Sequence, residues 1–250
     1  MSVRDVVTQQ RPVFLASIKL YLLNWSRSRA PLGMLAFVAV LCWYDAVAPN
    51  RSPSPWSLLT FAGAWSGFLA AYDTYERLRA DGSLRLILLH GQSRATFAIG
   101  MAAGGILVSV VGTAVTLAYL IVAGRLIVSS HLLIVLPVTL LAVAGWVVYA
   151  QLLSLLVPRD TAAILGIIAL VFGSGPPERW LPLETPAVVQ QAAMLVWSAM
   201  PTTVRFTNVL NGDGTLENVA MQLGQLVVAL AVVCALLMRR RLLSRQRVEG

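Results

Sequence analysis

The chain has 250 residues, of which 58% are hydrophobic and only 12% charged, half the ~25% of an average soluble domain, and its mean hydropathy is +0.75. That composition excludes an ordinary water-soluble globule and points to an integral membrane protein. The net charge is +8, almost all of it arginine with Lys19 the single lysine, and the cations gather at the ends of apolar runs. This is the pattern of membrane topology, not of a nucleic-acid-binding face.

Met1 to Gln10 lacks the layout of a signal peptide, so insertion without cleavage is expected. Pro12 suits a first helical position. Beyond it Phe14, Ile18, Tyr21, Leu22 and Trp25 recur at helical spacing, while Ser17, Lys19 and Asn24 fall elsewhere on the wheel. Residues 12–27 are therefore expected to form an amphipathic helix lying in the cytoplasmic interface.

The first span is expected over 31–48, opened by Pro31 and closed near Trp43 and Tyr44, aromatics suited to the membrane boundary. Asp45 lies close enough to its end to reach water. Residues 49–55 hold three prolines and form a turn. The second span, 56–74, is rich in small residues that let helices approach closely. After the charged stretch 76–94, a third apolar run covers 95–123. Its 29 residues make a helix of about 43 Å, longer than a ~30 Å hydrocarbon core needs, and Gly100, Gly104, Gly105 and Gly112 allow a bend.

Residues 132–156 form the fourth span and 161–174 a short fifth. The segment 176–215 changes character, with several prolines and charges around an apolar piece at 187–199. That piece is too short to cross and is expected to be re-entrant or interfacial. The last span is 218–238, followed by a basic tail. The expected fold is thus all-α and polytopic: one membrane domain over 1–250, with six spans, an N-terminal interfacial helix and a re-entrant segment between spans five and six.

Placing both termini in the cytoplasm leaves Arg51, Arg125, Arg179 and Arg205 outside and the other 15 of the 19 cations inside. That asymmetry predicts a multi-pass protein of a bacterial-type inner membrane.

Several chemistries have no residues to support them. His90 and His131 fall on opposite sides, and Cys42 and Cys234 sit singly in apolar runs, so no metal site or disulfide framework is expected. Gly173-Ser174-Gly175 lacks the preceding glycine and the later histidine of an intramembrane serine protease. A phosphate-binding loop needs Gly-Lys-Ser/Thr, and Lys19 is followed by Leu20. The chain is not expected to be an enzyme or to carry a cofactor. The spans also lack ionisable groups at mid-depth, which argues against proton or sodium coupling.

The stretch from Tyr75 to Arg94 concentrates charge between two apolar runs, in Glu76, Arg77, Arg79, Asp81, Arg85, His90 and Arg94. Glu76 to Asp81 are expected to carry the second span onward into water. Gly82-Ser83 then breaks or caps the helix. Leu84, Ile87 and Leu88 share a face, His90-Gly91 ends the piece, and Ser93-Arg94 leads into the third span.

An acidic residue after span two, a Gly-Ser-Leu core, a run of leucines from Leu86 to Leu89 and a final Ser-Arg together form a pattern. It resembles the ABC-2 type permeases, the membrane subunits of type V ABC exporters. Arg85 stands where that family usually has an acidic residue, and Gly91 or Gln92 where it has a proline.

The resemblance implies a coupling helix over 76–94. Glu76, Arg77, Arg79, Asp81, Gly82, Ser83, Leu84, Arg85, His90, Ser93 and Arg94 would meet soluble ATPase subunits that carry the ATP and Mg. It also implies a second permease copy or a sister permease, contact with membrane lipid, no nucleic acid, and export of an amphipathic or lipid-like cargo, with 176–215 as an outer gate. A non-transporting membrane scaffold and a secondary carrier are the alternative classes. ATP hydrolysis stimulated by this chain separates the first from a permease, and dependence on an ion gradient identifies the second.

Overall fold

The structure is a computed structural model that describes residues 3–48, 54–89, 93–127, 132–172, 181–182, 184–199 and 216–238. Residues 49–53 of the expected turn at 49–55, His90, Gly173–Gly175, most of 176–215 and the basic tail lie outside these residues. Among the described residues every regular element is a helix: α1 Val3–Ser26, α2 Ala30–Val47, α3 Pro55–Ala71, α4 Thr74–Ala80, α5 Ser83–Leu89, α6 Arg94–Val122, α7 Leu132–Leu156, α8 Arg159–Phe172, α9 Ala187–Ala199 and α10 Leu216–Met238. Four helices are long and apolar enough to cross a membrane: α2, α6, α7 and α10. This makes the chain a multi-pass membrane protein by length and composition. α3 and α8, at 17 and 14 residues, are shorter than that measure.

α3 is the axis of the bundle. Pro55 occupies its first turn, and the Ser54 hydroxyl accepts the Ser57 amide at 3.2 Å, so the helix has both a fixed start and a cap. Its small residues then serve packing. Gly63 faces Val143 and Thr139 of α7, Gly67 faces Val143 and Trp146, and Ser66 faces Gly112 of α6. Apolar tails of lipid give no hydrophobic drive between helices, so backbone proximity through small residues supplies the dispersion contacts instead. Trp146 fills the space between with no exposure. α8 is seated on α3 where the Phe68 ring lies over Gly166.

Two expectations about α1 are corrected. The helix begins at Val3, not at Pro12, and passes through that proline. A proline removes one intrahelical bond, but it does not end a helix whose next turns are anchored elsewhere. The anchor is α6, and the contact takes in Tyr21 of the apolar stripe together with Ser17 from outside it. Ser17, set away from that stripe on the wheel, is 3% exposed and lies against Gly100, while Leu22 is exposed. The Ser17 hydroxyl donates to the Val13 carbonyl at 2.7 Å, so a polar side chain enters the contact already satisfied.

Asp45 is a third correction. It does not reach water. It is 1% exposed, with Arg125 at 2.9 Å and the Tyr119 hydroxyl donating to it at 3.0 Å. The apolar ends of α2 and α6 enclose the carboxylate, and a cation 80 positions away neutralises it. The glycines of α6 mark where α1, α3 and α7 approach this uninterrupted helix. α2 buries only Met34, Val38 and Asp45, so most of its apolar surface faces outward, as does that of α10. α9 also presents Val188 and Leu195 outward.

Candidate functional site

The charged stretch folds as two short helices, α4 and α5, at the end of the bundle opposite Asp45. α3 does not run on into α4. It stops at Ala71, and Tyr72 and Asp73 turn the chain before Thr74. Asp73 is 3% exposed and is the junction. Arg77, one turn along α4, donates to it from Nε at 2.6 Å and again from Nη2. Arg159, at the start of α8, brings Nε within 3.7 Å of the same carboxylate, donates to the Tyr72 hydroxyl at 3.2 Å and lies over the Tyr72 ring. One buried carboxylate thus joins α4 to α8 through two guanidiniums.

α4 is more deeply set than a water-facing extension would be. Tyr75 and Leu78 have no exposure, and the Tyr75 ring meets Phe97 edge-on at 6.4 Å. The Tyr75 amide, one of the unpaired donors of a helix start, donates to the Ser154 hydroxyl of α7 at 2.8 Å. Burial drives the Tyr75 phenol well above its ordinary range, with Cys234 adding to the rise, so it stays neutral. At the other end of α4, Arg79 donates to the Leu155 carbonyl at 3.3 Å, in the last turn of α7. A cation there complements the negative end of the helix.

The α4–α5 corner turns on Gly82, with φ at 75°. The Asp81 carboxylate accepts the Ser83 amide at 2.9 Å and so starts α5. Leu84, 4% exposed, anchors α5 in the buried cluster that also holds Tyr75, Leu78, Leu155 and Leu237. After α5, the Ser93 hydroxyl caps α6 by accepting the Thr96 amide at 3.4 Å. Arg94 donates to the Leu237 and Met238 carbonyls at 3.2 and 2.9 Å, at the end of α10.

Replacing Gly82 with alanine meets no atom within 4 Å, so its penalty is backbone strain alone. The expected destabilisation is about 1 kcal/mol, with Gly82→Asn milder and Gly82→Val worse, read by thermal unfolding in detergent.

The expected coupling residues thereby sort into two groups. Arg77, Arg79, Asp81, Gly82, Ser83, Leu84, Ser93 and Arg94 are used by the chain itself, as ties, caps and a corner. Arg85 is exposed. Glu76 has a buried carboxylate oxygen without a hydrogen-bond partner among the described residues. These two carry the charge that the rest of the described chain does not hold. His90 lies outside the described residues.

Reasoning from sequence passed over Tyr72, Asp73, Ser154 and Arg159 as parts of this junction. Asp73 and Arg77 stand four apart, the spacing of a helical ion pair, and that signal was available. Nothing local marks Ser154 or Arg159. Among the described residues no group of three or more His, Cys, Asp or Glu could hold a metal. Chemically the site is a set of hydrogen bonds between helix ends, several of them charge-assisted. No known protein family matches the chain, and no curated protein matches it.

Proposed function

We propose that the chain is the membrane-spanning permease subunit of an ATP-binding-cassette exporter of the ABC-2 type. In this reading α2, α3, α6, α7, α8 and α10 are six spans with both termini cytoplasmic, and α1 lies at the inner interface. α3 and α8 are short because the Tyr72–Asp73 turn and the Arg159 start lie at the membrane boundary. Soluble ATPase subunits dock on α4 and α5, a second permease copy or sister chain completes the pathway, and an amphipathic or lipid-like cargo leaves the cytoplasm.

One observation supports this most. The Asp73 turn and α4 are tied to the end of α7 through Ser154 and Leu155 and to the start of α8 through Asp73, and the start of α6 is tied to the end of α10 through Arg94 and Leu237. A push on α4 would therefore reach α3, α7 and α8 directly, in part through charge-assisted bonds. Arg85 is the exposed cation on α5 that an acidic group of a partner would meet.

The test is co-purification from the native membrane and measurement of ATP hydrolysis in the resulting complex. An ATPase chain is expected to accompany this one. Arg85→Glu is expected to lower stimulated hydrolysis at least ~10-fold, a loss on the scale of one charged contact reversed, while the melting temperature stays unchanged. If no ATPase accompanies the chain, and 76–94 can be replaced without loss of transport, the reading fails.

A further inference from the structure

A small cleft opens where α1 crosses the α3–α4 junction, lined by Tyr21, Asn24, Trp25, Asp73, Thr74 and Arg77 among others. Its volume of about 20 Å³ admits a single oxygen-sized group. Three features set the chemistry of what would enter.

The first is an orphan donor. The indole N–H of Trp25 is buried and has no acceptor among the described residues. A buried donor left unmade is unfavourable, so an acceptor oxygen is what the cleft lacks. The second is charge. Asp73 is the one carboxylate in the lining and Arg77 offsets it, so the excess positive charge is that of Lys19 and Arg27, exposed on α1. The third is the surface beside the cleft. α1 presents Leu15 and Leu22 outward at 53% and 39% exposure, and Lys19 and Arg27 are exposed on the same helix. On a 100° wheel Trp25, Ile18, Leu22, Leu15 and Lys19 follow one another around α1, so the cleft passes into an apolar stripe and then a cation.

An acceptor oxygen, exposed cations on the same helix and an adjoining apolar track describe a phospholipid. We infer that the cleft seats a phosphate oxygen of a membrane phospholipid, with its acyl chains along Leu22 and Leu15, and that anionic headgroups are preferred. The Trp25 N–H and the Arg77 guanidinium donate to the phosphate, and Lys19 and Arg27 favour a headgroup with net negative charge. This inference rests on the multi-pass membrane character of the chain and not on its being a transporter. It makes α1 a lipid-reading element joined to the Asp73 junction.

The experiment is native mass spectrometry of the full-length protein in detergent, with bound lipid counted after titration. The probes are phosphatidylglycerol, phosphatidylcholine, diacylglycerol and inorganic phosphate. Phosphatidylglycerol is expected to be retained best and diacylglycerol least. Trp25→Phe keeps the ring and removes the N–H, and should reduce phosphatidylglycerol retention about 10-fold. Trp43→Phe, at the opposite end, should leave it unchanged, and matched melting temperatures would show that both variants fold.

Equal retention of diacylglycerol would mean an apolar surface only. Full displacement by inorganic phosphate would mean an anion site without lipid. Undiminished binding in Trp25→Phe would place the lipid elsewhere. Each of those results overturns the inference.

Discussion

Gly100→Leu is expected to detach α1 from the bundle. A Cβ at this position would stand 2.6 Å from the Ser17 Cβ and 2.9 Å from the Phe14 carbonyl oxygen. The second neighbour is backbone, so no rotamer change relieves it, and α1 as a whole must move. One turn on, Gly104 would meet the Tyr21 side chain at 2.8 Å, and Tyr21 donates its hydroxyl to the Ala70 carbonyl of α3. Moving α1 therefore also breaks a buried hydrogen bond to the central helix.

The combined penalty is about 3 kcal/mol, from overpacking plus one lost hydrogen bond. Thermal unfolding in detergent should show it. If Gly100→Leu melts with the parent protein, α1 does not pack on α6 as described.

Asp45→Leu is expected to be the most damaging single change at the opposite end. It removes the carboxylate that Arg125 and Tyr119 share and leaves the Arg125 guanidinium, 24% exposed, facing an apolar side chain. Breaking one partner of a buried pair costs about 3–5 kcal/mol, and the partial exposure of Arg125 puts the expected loss at the lower end. Asp45→Leu combined with Arg125→Leu should recover most of the stability, because no uncompensated charge remains. A double-mutant cycle on melting free energies would measure this. Additive effects of the two changes would show that the groups do not interact.

The two clusters differ in how legible they were. Asp73 and Arg77 lie one helical turn apart, so local spacing could signal their pairing, whereas Asp45 and Arg125 are separated by the four helices α3 to α6. The Tyr119 hydroxyl reaches Asp45 only because α2 and α6 end at the same level. The corner at Gly82, the cap at Ser93 and the extent of α7 and α9 are local matters of turn chemistry and apolar length. They appear where the residues alone placed them. The uses of Arg79 and Arg94 are not local. Each reaches a carbonyl at the end of a helix 76 or more positions away, and neither carbonyl is marked in the chain.

The amino-acid sequence by itself determined that this is an all-helical, multi-pass membrane protein with a charged interruption between two apolar runs. Apolar length and the side on which arginines fall are summed over many residues, and such sums survive ignorance of packing. Only the tertiary structure decided which polar groups are internal ties and which stay exposed. That assignment depends on helix ends meeting across the bundle. It turned Arg77, Arg79 and Arg94 into ties, left Arg85 exposed, and moved Ser17 and Asp45 from presumed contact with water into the interior.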